Sequence, residues 1–158
     1  MPDEFLIRMA NVTDVDQICQ LYVELNPDDQ PANKTEAIKQ LENLQLFEGS
    51  GILIGTLNDQ VIASCTLVVI PNLTRQGRPY ALLENVITSR AFRGNGFGKQ
   101  LIRWAVDEAW RYDCYKVMLL TGSKDPHTLK FYSDCGFVQN KTGFQVRNGI
   151  AANDRTNN

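Results

Sequence analysis

The run "FRGNGFGKQLIRWAV" places Gly94, Gly96 and Gly98 directly ahead of a helix-like pattern. A turn of this kind is suited to holding an anion. Glycine lets the backbone approach a guest closely, the first N–H groups of a helix have no internal partner, and the helix dipole favours negative charge there. Phosphate is the usual guest, and three phosphate motifs can be tested. A P-loop needs glycine where Arg93 stands and Ser or Thr where Gln100 stands. A dinucleotide fingerprint starting at Gly94 needs glycine at Lys99, and the kinase loop fails at the same place. The pattern that remains is Arg-x-x-Gly-x-Gly on Arg93, Gly96 and Gly98. The plain alternative is a tight strand–helix turn, which rarely needs three glycines.

A second chemical feature lies just upstream. Glu84 and Asn85 interrupt the apolar run "YALLENVIT". Strand alternation puts Leu82, Glu84 and Val86 on one face and Leu83, Asn85 and Ile87 on the other. A carboxylate among apolar neighbours is costly unless it is paired, solvated or functional. Glu84 is therefore an edge or ion-pair residue, or a reactive one. Further on, Phe131 and Tyr132 sit at helical spacing with Leu129, where packing is the ordinary role of an aromatic.

The elements that position these residues follow from periodicity. "FLIRMA" reads as a first strand, and Thr13 as the cap of a helix carrying Val15, Ile18, Cys19, Tyr22 and Leu25. Thr35 is expected to cap a second helix running through Leu44. "GILIGTL" and "QVIASCTLVVI" form a hairpin turning at Asn58 and Asp59. "YALLENVIT" is the next strand. Leu101, Ile102, Ala105, Val106 and Ala109 make one face of the helix after the glycine turn. "YKVMLLT" is a strand, Asp125 and Pro126 start a helix, and Gly136 ends it in a left-handed cap. "GFQVR" is expected as a last strand. The order predicts an α/β (α+β) fold, with a central twisted, mixed but mostly antiparallel sheet and helices on both faces. One domain is expected over 1–148, with a polar tail at 149–158.

Bulk properties narrow the function. The chain has 158 residues, a net charge of −2, 43% apolar and 22% charged residues. These values suit a single globular domain and give no basic surface for nucleic acid. No apolar run approaches a membrane span, and "MPDEFLIRMA" lacks the features of a signal peptide. The four cysteines, Cys19, Cys65, Cys114 and Cys135, are scattered with no metal-ligand spacing, so no metal is expected. A cytoplasmic protein with reduced thiols is the reading, with no nucleic-acid or membrane partner. His127, at a helix start, is read as exposed or satisfied, and Trp104 and Trp110 as packing or interface residues.

"FRGNGFGKQLI" resembles the coenzyme A pyrophosphate loop of the GNAT superfamily of N-acetyltransferases. The surroundings strengthen the likeness: a preceding strand "LLENVIT", a following helix, "LKFYSDCGF" similar to the family's Phe-Tyr-x-x-x-Gly-Phe run, and an opening "IRMANVTDVDQICQLYVEL" similar to its first strand and helix. One departure is Asp125, where many members carry asparagine; the position is either a helix cap alone or a coenzyme A contact as well.

The resemblance implies the fold above with acetyl-CoA as co-substrate. The loop Arg93, Gly94, Asn95, Gly96, Phe97, Gly98 and Lys99 would wrap the pyrophosphate, with Arg93 supporting the loop or pairing with a phosphate. Val86, Ile87 and Thr88 would lie along the pantetheine arm, where the strand splays from its neighbour and free N–H groups meet the thioester carbonyl. Glu84 would be the general base, its pKa raised by burial, and Tyr132 the general acid toward the departing thiolate while also touching the cofactor. The acceptor would be the primary amine of a small molecule, attacked directly in a ternary complex without a cysteine nucleophile. "DCGFVQNKTGFQVR" resembles the end of glucosamine-6-phosphate acetyltransferases, which makes an amino sugar the first acceptor to test. Arg75, Arg78 and Tyr80 either line the acceptor pocket or are plain surface. A homodimer is implied by family habit. A non-catalytic acetyl-CoA sensor is the rival reading, since it would keep the glycine loop without a working acid–base pair.

Overall fold

A computed structural model describes residues 4–148; the tail expected at 149–158 lies outside the described residues. The chain divides into two compact units, Met1–Leu119 and Leu120–Asn158.

The first unit is built on a five-stranded sheet in sequence order. Strands β1 (Phe5–Met9), β2 (Gly51–Leu57), β3 (Gln60–Ile70) and β4 (Tyr80–Thr88) are antiparallel neighbours, and β5 (Val117–Leu119) joins β4 in parallel. β2 and β3 turn at Asn58 (φ 49°) and Asp59 (φ 63°). Two successive left-handed residues make the type I′ turn that matches strand twist, and Asn and Asp tolerate it best.

Helices α1 (Val15–Leu25) and α2 (Lys34–Gln45) cover one face of the sheet. Ile18 and Leu21 of α1 close with Ile54, Val61 and Ile87 into a buried apolar cluster. Helix α3 (Phe97–Arg111) packs on β1 to β4 through Leu101, Ile102, Ala105 and Ala109, all fully buried. Strand register puts Leu53, Cys65, Leu67 and Leu83 on the face opposite Ile54 and Ile87, and they too are sealed from solvent. The expected helices on both faces are present.

The helix starts differ from the sequence reading. Asn11, not Thr13, opens the α1 segment: its side chain accepts from Thr13 N at 2.8 Å, and Asp14 Oδ2 accepts from Asn11 N at 2.8 Å. This reciprocal box satisfies two otherwise orphaned donors, which a lone threonine cap does not. Asp14 also takes a two-pronged contact from Arg8, at 2.7 and 2.8 Å. That contact holds its carboxyl below the usual range despite its burial. Likewise Asn33, rather than Thr35, caps α2 by accepting from Glu36 N at 3.0 Å.

In the second unit, α4 (Pro126–Asp134) starts as its sequence predicts: Asp125 Oδ1 accepts from His127 N at 2.9 Å and Pro126 occupies the first turn. Gly136 (φ 93°) ends it, and Phe137 N returns to Tyr132 O at 3.1 Å. The strand expected at "GFQVR" is absent. Residues 143–147 carry no ladder pairing, and Phe144 and Val146 are 92% and 98% exposed. An alternating run becomes a strand only against a partner edge, and none is present among the described residues.

Candidate active site

Strand β4 is irregular where Glu84 sits. Thr66 faces Glu84 and Ser64 faces Ile87, so Asn85 and Val86 together oppose the single residue Cys65. This is a β-bulge, and Asn85 carries it in a left-handed conformation (φ 51°). The bulge shifts the alternation. Leu82 and Glu84 lie on the same face as Ser64, Thr66 and Ile87, which is the α1/α2 face; Val86 no longer shares it. Glu84 is exposed, and its carboxylate makes no ion pair or hydrogen bond among the described residues. The cost of a carboxylate in the strand is therefore met by solvation, and the burial expected of Glu84 is not present.

The far edge of β4 opens at the same point. Its parallel pairing to β5 runs Ala81↔Val117, Leu82↔Met118 and Leu83↔Leu119, then stops. Among the described residues that edge has no strand partner from Glu84 onward. Ser89 N donates to Ile62 O on β3 at 2.8 Å. Strand alternation then turns the Ile87 N–H into the ladder toward Ser64 and leaves the Val86 and Thr88 N–H groups facing the open edge. Ile87 is thus a core and ladder residue, with its side chain in the α1-side cluster. Of the pair expected to offer free N–H groups, only Val86 faces outward.

The glycine turn follows. Gly94 (φ 82°) and Gly96 (φ 80°) are both left-handed, and a Cβ built on either would meet nothing within 4 Å. No packing contact demands glycine at these positions, and the space above the turn is open. The N–H groups of Phe97, Gly98 and Lys99 precede the first helical bond of α3, donated by Gln100 N to Gly96 O at 3.1 Å. Arg93 Nε donates to Thr88 O at 2.9 Å, so Arg93 supports the loop and ties it to the end of β4. Asn95 Nδ2 donates to Phe92 O and Arg93 O, at 3.1 and 3.3 Å, which fixes the turn's curvature. The cradle of open backbone suits a diphosphate.

One supporting residue escaped the sequence reading. Glu24 of α1 accepts from Ser89 Oγ at 2.9 Å and from Arg90 N at 2.8 Å. The Arg90 N–H, followed by the Ser89 hydroxyl, holds the Glu24 carboxyl below its ordinary range. It fastens the strand-to-loop connection from 65 residues away in the chain, a separation that leaves no local signal.

A cavity of about 270 Å³ lies on the α1/α2 face. Val15, Ile18 and Leu41 form a buried apolar floor, while Asn26, Asp29, Gln40 and Asn85 stand at an exposed rim. Tyr22 lines it as well. Its hydroxyl and Ser64 Oγ are buried without a partner in bonding geometry, although the Ser64 and Thr66 hydroxyls lie beside the phenol. Burial pushes the Tyr22 phenol up. Arg75, Arg78 and Tyr80 do not line this cavity. Arg75 and Tyr80 pack with Tyr115, and Arg78 pairs with Asp113 at 3.1 Å.

In the second unit, Tyr132 lies on α4 between two rings in edge-on contact, Phe131 at 5.0 Å and Phe137 at 6.3 Å. None of the four cysteines is in a disulfide. Burial pushes Cys65 up to about 12 and raises Cys114 and Cys19, so these thiols stay protonated and poorly nucleophilic. Among the described residues there is no group of three or more metal-binding side chains, and no helix is long and apolar enough to cross a membrane.

The family model of the acetyltransferase (GNAT) family matches residues 15–137. A glucosamine 6-phosphate N-acetyltransferase of Trypanosoma brucei brucei is 35% identical over 78 residues, covering 49% of this chain and 51% of that protein. The chain spans about half the length of the curated relatives it matches. A solved structure of a putative acetyltransferase from Agrobacterium tumefaciens str. C58 is 45% identical, with a TM-score of 0.84 over 90% of this chain and 99% of that one. An aminoglycoside N-acetyltransferase solved in complex with CoA shares the fold at 17% identity, with a TM-score of 0.78 over 95% of this chain and 98% of that one.

Proposed function

Because the chain belongs to the acetyltransferase (GNAT) family, we propose that it is an N-acetyltransferase that uses acetyl-CoA to acetylate the primary amine of a small molecule. The observation that carries this reading is the pairing of two open features: the left-handed glycine cradle at the start of α3, and the unpaired edge of β4 that begins beside it. The CoA-bound relative and the amino-sugar acetyltransferases among the relatives support the same co-substrate and acceptor class.

Acetyl-CoA supplies an activated thioester. Backbone N–H groups from Gly94 to Lys99 bind its diphosphate, with Arg93 and Asn95 holding the loop in shape. The Val86 N–H donates to the thioester carbonyl and stabilises charge developing on oxygen, and Thr88 lines the same edge. Glu84 takes a proton from the amine through water, a route suited to an exposed carboxylate. A C–N bond forms, the C–S bond breaks, and Tyr132 returns a proton to the thiolate. Buried Cys65 and Cys114 offer no covalent alternative. We place the enzyme in the cytoplasm as a homodimer, working as one catalytic domain.

The test is thiol release from acetyl-CoA against a panel of amines that includes amino sugars. Turnover with at least one amine, lost in Glu84→Gln, supports the assignment. Absence of both CoA binding and turnover would overturn it. CoA binding with no turnover on any amine would make the protein a sensor.

A further inference from the structure

The cavity on the α1/α2 face constrains the acceptor. Asn85 belongs both to its rim and to the β4 bulge, so the cavity reaches the residue next to Glu84. Glu84 shares the α1/α2 face with Ile52 and Thr66, and Ile52 also lines the cavity. At about 270 Å³ it falls near the lower end of small-molecule sites, too small for a folded partner. Its floor is apolar and sealed: Ile18 and Leu41 are 3% and 2% exposed.

Its charge is one-sided. Among the described lining residues Asp29 is the only carboxylate, and none is lysine, arginine or histidine. Of the cations on or near α1 and α2, Lys34 pairs with Asp16 at 2.6 Å, Arg8 with Asp14 at 2.7 Å and Lys39 with Glu36 at 3.8 Å. A phosphate is recognised through arginine or lysine donors, and a dianion beside an apolar floor and a carboxylate is penalised twice. An ammonium drawn to the rim by Asp29, with an apolar body on the floor, is complementary to the same surface. Tyr22, the one phenol among the described lining residues, adds a neutral polar group.

Resting on the acetyltransferase reading, we infer that the acceptor is a small primary amine with an apolar body and no phosphate or carboxylate, and is not an amino-sugar phosphate. Asp29 draws it in, Ile18 and Leu41 hold its body, and Asn85 sets its approach to Glu84.

Thiol release from acetyl-CoA is measured with phenethylamine, glucosamine and glucosamine 6-phosphate, and each amine is titrated calorimetrically into the protein saturated with CoA. Phenethylamine is expected to exceed glucosamine 6-phosphate in kcat/KM by at least about tenfold, the scale on which a mismatched pocket discriminates. Ala37→Lys sets a cation into the half-buried wall from α2. It should lower kcat/KM for phenethylamine by about tenfold or more, because it adds like charge and bulk, and leave CoA binding intact. Preference for either sugar, absence of phenethylamine binding, or an Ala37→Lys variant as active on phenethylamine as the native protein overturns the inference. Phenethylamine binding without thiol release from any amine leaves the pocket assignment standing and defeats the acetyltransferase reading instead.

Discussion

Gly96→Val separates binding by the loop from the stability of the loop. At φ 80° a β-branched residue pays the left-handed penalty, roughly 1–2 kcal/mol. It adds no clash, since a Cβ at this position meets nothing within 4 Å. For a chain of this size each kcal/mol shifts Tm by about 2–4 °C, so the variant should melt roughly 2–8 °C lower and still fold. The new side chain occupies the open space that the diphosphate needs. In the native protein, acetyl-CoA at a hundred times its Kd adds about 2.7 kcal/mol, a rise of roughly 5–10 °C. Scanning fluorimetry with and without acetyl-CoA reads both quantities. Gly96→Val should lose the ligand-induced rise as well as the few degrees of intrinsic stability. Gly136→Val is the control: it too is left-handed (φ 93°) and open, but it ends α4 and lies outside the loop. It should pay a similar backbone cost and keep the rise. A Gly96→Val protein that shows the full acetyl-CoA shift would refute the cradle, whatever its own Tm.

Glu84→Gln keeps shape and removes the proton acceptor. Turnover should fall by about 10²–10⁴-fold while the acetyl-CoA shift survives; native-rate turnover in steady-state assays would make Glu84 structural. Tyr132→Phe should lower kcat with little change in Tm, and an unchanged kcat would remove the proposed acid. Asp14 is held below its unfolded pKa chiefly by Arg8. Its contribution is therefore complete above the ordinary aspartate range and is lost as pH falls through that range toward its lower folded value. Asp14→Asn should cost about 1.5–3 kcal/mol at pH 7, nearer the low figure because the Arg8 side chain is 46% exposed. In urea titrations the gap between the two proteins should narrow steadily as pH falls below the ordinary aspartate range. Light scattering at micromolar concentration should report twice the 17.8 kDa chain mass, and a clean monomer would refute the dimer.

Much of the fold is legible because its signals are local. The β2–β3 hairpin follows from Asn58 and Asp59, the ends of β3 and β4 coincide with the apolar runs, and Asp125, Pro126 and Gly136 bracket α4 as their backbone chemistry dictates. The glycine turn is legible for the same reason: left-handed φ at Gly94 and Gly96 is a demand that glycine meets without cost. The caps at Asn11 and Asn33 each lie two residues before the expected threonine, because Asn, Ser, Thr and Asp compete for that role and the outcome depends on which backbone donors come within reach. "GFQVR" has strand composition, but a strand is a property of a pair, and composition says nothing about whether the partner edge is there.

The bulge at Asn85 shows where local reading ends at the site itself. Alternation along "YALLENVIT" assumes one residue per step, and nothing in the run announces that Asn85 and Val86 will share one partner. That single extra residue has three consequences. It places Glu84 on the face with Ser64, Thr66 and Ile87, beside the cavity, and Val86 leaves that face. It turns the Ile87 N–H into the ladder and leaves Val86 as the outward donor at the open edge. It also sets Asn85, one of the few residue types that accept a left-handed backbone, at the cavity rim. The sequence marks the spot through the polar pair Glu84 and Asn85, but the assignment of base, carbonyl donor and rim follows only from the cross-strand register. An Asn85→Gly variant keeps the left-handed backbone and removes the rim amide. It should therefore preserve the acetyl-CoA shift and raise KM for the amine, whereas Asn85→Val, strained in that conformation, should disturb both. Equal behaviour of the two variants in paired kinetic and melting assays would show that the bulge does not join the acceptor side to the thioester side.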